Sequence, residues 1–200
     1  MKTMVLLALA TLFALPAAAA PAKAPQAFQD SQPLGSLDVP DVPLIDQDGK
    51  PVRFYTDLVK GRVVAVSFVF TSCTTICPPI GASFARLEKL VAGKDVHLIS
   101  VSIDPANDTP ERLKAWSRKF GAGPGWTLVT GDRNEVTRLL KALGAYTANA
   151  GDHSPLVLLG NERAGRWTRA YGFAAPARLA ELIDRIAAPD VNASHQESRP

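Results

Sequence analysis

From residue 42 onward the hydrophobic positions switch repeatedly between a two-residue and a helical period. Residues 42–54 read as a small hairpin turning at Asp48-Gly49. Residues 62–70 (RVVAVSFVF) form a nearly continuous β-branched and aromatic run, which predicts a strand buried on both faces. Residues 78–91 carry Ile80, Phe84, Leu87 and Val91 at helical spacing, with Pro78 and Pro79 in the first turn, where a missing N–H costs little. Residues 96–103 are a further strand. Asp108 or Thr109 then caps a helix that runs to about Lys119, with Pro110 and Glu111 in its first turn. A short strand over 127–129, a helix over 132–143 ending at Gly144, a strand pair over 156–159 and 166–171, and a helix over 176–186 complete the pattern. After the hairpin the order is β-α-β-α-β-α-β-β-α. It predicts an α/β domain whose sheet is covered by helices on both faces, with a ligand site at the strand ends.

The two ends of the chain fall outside this pattern. Lys2 precedes an apolar run over 4–15, then Pro16 and four alanines, the layout of a secretory signal peptide over 1–20. An uncleaved anchor is the other reading of that segment, although the apolar stretch is shorter than the ~20 residues a spanning helix needs. It contains no cysteine to carry a lipid. Residues 21–36 read as a flexible leader and 189–200 as a polar tail, leaving one domain over 37–188. The 200 residues are 46% hydrophobic and 20% charged, which excludes a disordered chain or a polytopic membrane protein. A net charge of +3 without a basic, aromatic-laced stripe gives no support for nucleic-acid binding. A signal peptide predicts a periplasmic or otherwise extracytoplasmic location, where a thiol pair can be oxidised.

The two cysteines, Cys73 and Cys77, lie four apart between the buried strand and the first helix. On a helical turn that spacing puts both sulfurs on one side, and a helix N-terminus favours thiolate, so two activated thiols are expected there. Such a pair forms a disulfide, attacks one, or binds a soft metal. A metal needs a third donor from elsewhere. Of the three histidines, His97 lies within a strand and His195 in the tail, whereas His153 sits just before the strand at 156–159 and could approach the cysteine turn. Asp104 is a candidate for orienting a ligand, since it follows the strand at 96–103; its alternative is a turn residue before Pro105. Asp152 reads as a turn former, and Trp116, Trp126 and Trp167 as packing residues. Phe70 and Tyr146 are weaker candidates for lining the site.

The segments FVFTSCTTICP (68–78), SIDPANDTPERL (102–113) and DHS (152–154), followed by a strand pair ending in RAYG, resemble the Sco (SenC/PrrC) family of copper chaperones. Together these segments span most of residues 40–187. The resemblance implies a thioredoxin-like fold, with a central mixed sheet, helices on both faces and an added N-terminal hairpin. It also implies that Cys73, Cys77 and His153 bind one copper, Cu(I) or Cu(II), and that Cys73 and Cys77 form a disulfide when oxidised. The implied partners are a copper donor protein and a recipient, the dinuclear copper centre of cytochrome c oxidase subunit II or another copper enzyme. Relatives commonly carry Pro directly after the first cysteine, where this chain has Thr74, and many have a longer loop before the histidine. Thioredoxin-like folds often place a cis-proline beside the cysteines, so Ser154–Pro155 is expected to be cis.

Two other functions use the same thiols. A thiol–disulfide oxidoreductase would reduce the recipient's cysteines without needing His153, although its usual spacing is C-x-x-C rather than C-x-x-x-C. A thiol peroxidase would use Thr74-x-x-Cys77, but the Pro expected before that threonine is absent. The metal carrier is the leading reading, and the oxidoreductase is the alternative.

Overall fold

The computed structural model describes residues 31–171 and 173–189. The signal segment, residues 21–30 of the leader, His195 and the tail from residue 190 lie outside the described residues. The elements are β1 (Ser31–Gly35), β2 (Pro43–Asp46), β3 (Pro51–Arg53), β4 (Val63–Val69), α1 (Cys77–Leu90), β5 (Val96–Ser102), α2 (Pro110–Arg118), β6 (Trp126–Thr130), α3 (Arg133–Ala142), β7 (Leu156–Asn161), β8 (Arg166–Tyr171) and α4 (Pro176–Ala187). The strands form one eight-stranded mixed sheet in the order β1-β8-β7-β4-β5-β6-β2-β3. β4 runs parallel to β5 and antiparallel to β7, so it lies at the centre with a neighbour of each kind.

The apolar run of β4 is sorted by simple alternation. Val64, Val66 and Phe68 face one core, joined by Val136, Leu139 and Leu140 of α3. Ala65 and Val69 face the other, with Phe84 and Leu87 of α1, Leu113 and Trp116 of α2, and Leu179 and Ile183 of α4. Both faces of the strand are covered, which is why it shows no polar face in the sequence. Its one polar side chain, Ser67, is fully buried and satisfied: its hydroxyl meets that of Ser100 at 2.7 Å, and Ser100 also accepts from the Trp126 indole N–H at 2.9 Å.

Two sequence expectations need correction. The leader read over 21–36 includes a strand, because Ser31–Gly35 pairs antiparallel with β8 along the sheet edge. SQPLG has a Pro, a Gly and no apolar alternation, so only its partner makes it a strand. The hairpin at 42–54 is present as β2 and β3, but it runs on into a wide helical turn over Phe54–Val59 that buries Phe54, Leu58 and Val59. Asp41 anchors that turn by accepting from the Tyr55 and Thr56 N–H groups and from Arg53.

Candidate metal centre

β4 ends at Val69, and residues 70–76 turn over the C-terminal end of that central strand before α1 begins at Cys77. β7 begins at Leu156 beside that same end of β4, since Val157 is paired with Ser67. Two loops distant in sequence therefore meet: one carries Cys73 and Cys77, the other His153. Both cysteines are free thiols, and all three side chains are buried, with exposures of 8%, 0% and 6% for Cys73, Cys77 and His153. The Cys77 Sγ stands 3.9 Å from His153 Nε2.

The two cysteines are not on one helical turn, as their spacing suggested. Cys73 lies in the loop, and its sulfur accepts the Cys77 backbone N–H at 3.3 Å. This bond explains the local sequence. The first turn of a helix has N–H groups without intrahelical partners. Here Pro78 and Pro79 have none to offer, and the Cys77 N–H is taken by sulfur.

The acidities of the two thiols are split, which corrects the expectation of two activated thiols. Burial pushes the Cys77 thiol up to about 12, helped by its hydrogen bond to Cys73 and by the charges of Cys73 and Asp108, and opposed by the Phe70 N–H. Burial also works against the Cys73 thiolate, but the Cys77 thiol, the Cys77 and Thr75 N–H groups and the Thr75 hydroxyl outweigh it and hold Cys73 below the usual thiol value. His153 is held below the usual imidazole value by burial, with the Ala150 and Phe68 carbonyls pulling the other way. Its Nδ1 lies 2.9 Å from the Ala150 carbonyl, which assigns the proton to Nδ1 and leaves the Nε2 lone pair directed toward Cys77. Cys77 has a single S–H, for which the Cys73 sulfur and His153 Nε2 compete. The chemistry on offer is thus one easily ionised sulfur, one reluctant sulfur and one neutral imidazole nitrogen. Among the described residues, no group of three or more His, Cys, Asp or Glu side chains is placed so that it could hold a metal ion as it stands. One ion held by Cys73, Cys77 and His153 together would require these groups to stand closer than they do here.

Phe70 packs its ring edge-on against His153, with centroids 5.6 Å apart. Among the described residues, Asp104 makes no hydrogen bond to the trio's side chains that would orient them; both its carboxylate oxygens instead accept from the Asn107 side-chain amide. Asp152 is exposed and accepts from Asn149. Tyr146 is exposed beneath Lys141. Trp116 and Trp126 form a buried aromatic cluster with Phe84 and Phe120, and Trp167 is buried in the other core. His97 is held by the Leu58 carbonyl and Thr127, away from the site. The Ser154–Pro155 bond is trans, as no cis peptide occurs among the described residues. His153 is reached without it, because the short turn Ala150–Asp152 leads directly into an extended His153.

Sequence reasoning missed Asp108, considered only as a helix cap. Thr109 is the cap of α2, accepting from the Arg112 N–H. Asp108 is instead 2% exposed and accepts from the N–H and hydroxyl of Thr71 at 3.0 and 2.6 Å and from the Ser102 hydroxyl at 2.6 Å.

Residues 38–188 match the SCO1/SenC family. A protein of Stutzerimonas stutzeri named for copper binding is 34% identical over 123 residues, 58% of each chain. The match spans about half the length of the curated relatives. Among solved structures, a SCO1/SenC family lipoprotein from Bacillus anthracis superposes with a TM-score of 0.67 at 30% identity, covering 78% of this chain and 98% of that one. BsSco, described as a member of the Sco family of cytochrome c oxidase assembly proteins with a disulfide switch, superposes with a TM-score of 0.65 at 28% identity, covering 79% and 97%. The fold is thioredoxin-like.

Proposed function

The chain belongs to the SCO1/SenC family, and we propose that it is a copper-binding metallochaperone that holds one copper ion as cargo through Cys73, Cys77 and His153. The observation that carries this reading is the 3.9 Å approach of the Cys77 sulfur to His153 Nε2, with the other ring nitrogen held by the Ala150 carbonyl and the Cys73 sulfur bonded to the Cys77 N–H. Thiolates are soft donors that suit Cu(I), and the imidazole serves either oxidation state, with oxygen or water added for Cu(II). Zinc would ordinarily demand a fourth ligand. Both sulfurs must be reduced to bind, so loading is coupled to redox state. Copper leaves by ligand exchange with a recipient. The dinuclear centre of cytochrome c oxidase subunit II is the recipient we favour, supported by the similarity to BsSco. A copper donor protein loads the site, and the signal segment supports an extracytoplasmic location, periplasmic or held by an N-terminal anchor. No described helix is long and apolar enough to cross a membrane.

The second reading, a thiol–disulfide oxidoreductase acting on the recipient's cysteines, is favoured by the split acidity. Cys73 would attack and Cys77 would resolve. Copper titration of the reduced chain and of His153→Ala separates the two. The carrier takes up one copper per chain, and loss of the imidazole weakens binding at least about tenfold, or ~1.4 kcal/mol. Absence of specific copper uptake, with a readily cycled Cys73–Cys77 disulfide in both proteins, would leave the oxidoreductase.

A further inference from the structure

We infer that Asp108 is a positioning residue for the copper-carrying trio, holding the Phe70–Cys73 turn in place through Thr71; the inference rests on the copper reading for its function but on hydrogen bonds for its geometry. One carboxylate oxygen accepts both the N–H and the hydroxyl of Thr71, and the other accepts the Ser102 hydroxyl at the end of β5. The buried carboxylate thus bridges the cysteine loop to a strand on its far side. It is not spent on the helix, whose cap is Thr109.

What the clamp fixes is the residue next to Thr71. Phe70 ties the cysteine loop to the imidazole by separate atoms. Its carbonyl accepts the Cys73 N–H at 3.2 Å, and its ring lies against His153. Freeing Thr71 lets this turn wander and loosens the sulfurs relative to each other and to the imidazole. Partners that orient ligands in this way commonly change metal affinity by about 10–100-fold.

The test compares Asp108→Ala and Asp108→Asn in the reduced full-length chain. Asn keeps the oxygen that receives both Thr71 donors and can still meet Ser102, so it preserves position while removing charge. Copper affinity, the thiolate-to-copper absorption band and the Cys73–Cys77 dithiol–disulfide equilibrium in a glutathione buffer are read beside urea stability. Asp108→Ala is expected to bind copper about tenfold or more weakly, with a displaced band. It is also expected to shift the thiol equilibrium about tenfold toward the dithiol, because the sulfurs are no longer held together. Asp108→Asn stays within about threefold of the parent on both readings, a half-unit or less of log affinity. Leu139→Ala, in the opposite core, controls for lost stability. Should Asp108→Ala not fold, Thr71→Val removes one donor and carries the same readings with smaller shifts. Unchanged copper and thiol behaviour in the clamp variant, equal shifts in Leu139→Ala, or Asn as damaging as Ala overturns the inference. A parent chain that takes up no copper overturns the carrier reading alone, and the glutathione arm then decides Asp108.

Discussion

At the scale of single residues, the site depends on two chemically identical side chains being made different. Cys73 gains hydrogen-bond donors around its sulfur, whereas Cys77 is sealed at the start of α1 with burial as its dominant influence. The thiolate is the reactive form, so the difference should appear as an order of alkylation. Iodoacetamide at neutral pH is expected to place its first adduct on Cys73, located by peptide mass. Cys77 should react only slowly and speed up toward strongly alkaline pH, in keeping with its value of about 12. Equal rates at the two positions would contradict the split. On the proposed reading, the same contrast would make Cys73 the sulfur that engages an incoming ion or disulfide first.

At the scale of elements, α1 must keep its N-terminus fixed so that Cys77 faces His153. Gly81, on that first stretch of helix, shows how close the packing is: a Cβ there would lie 2.6 Å from the Phe120 ring and 2.8 Å from the Trp116 ring. A helical glycine replaced by alanine ordinarily gains ~1 kcal/mol of helix propensity. Here the overpacking term, typically about 1–3 kcal/mol, opposes and should exceed it. Gly81→Ala is therefore expected to lower the urea midpoint, and a rise would show that the rings yield. The elements themselves were largely legible, because β4 is a continuous β-branched and aromatic run and the four helices carry apolar positions at helical spacing. β1 was not, since Ser31–Gly35 becomes a strand only through β8. The cysteines and His153 stood out by residue type. Asp108 did not, because a carboxylate's burial depends on Thr71 and Ser102 arriving from elsewhere, which no local pattern records.

At the scale of the whole molecule, the site exists only where the sheet brings separate loops together: the cysteine loop follows β4, His153 precedes β7, and Asp108 follows β5, the strands flanking β4. This has a thermodynamic consequence. Cys73 and Cys77 are four residues apart and can chelate an ion even in the unfolded chain, but His153 lies 76 positions from Cys77 and joins them only on folding. A ligand stabilises a protein only by its preference for the folded state, about 2.7 kcal/mol at a hundred times Kd when the unfolded chain does not bind. Copper's stabilising effect should therefore track His153 more than binding itself. In His153→Ala the residual copper on two sulfurs is expected to raise the unfolding midpoint little. The pH dependence supplies an independent check. Cys77 keeps its proton at neutral pH, its value lying near 12, so binding must release it. Affinity should rise with pH, by about tenfold or more per unit between roughly 6 and 8, or ~1.4 kcal/mol per proton released. Copper titration of the reduced folded protein across that range, beside thermal unfolding with and without copper, tests both points: an affinity that rises with pH in the parent, and a midpoint shift that largely vanishes in His153→Ala, are expected. A flat pH response would mean that Cys77 is not a ligand, and an undiminished shift in His153→Ala would mean that the imidazole is not.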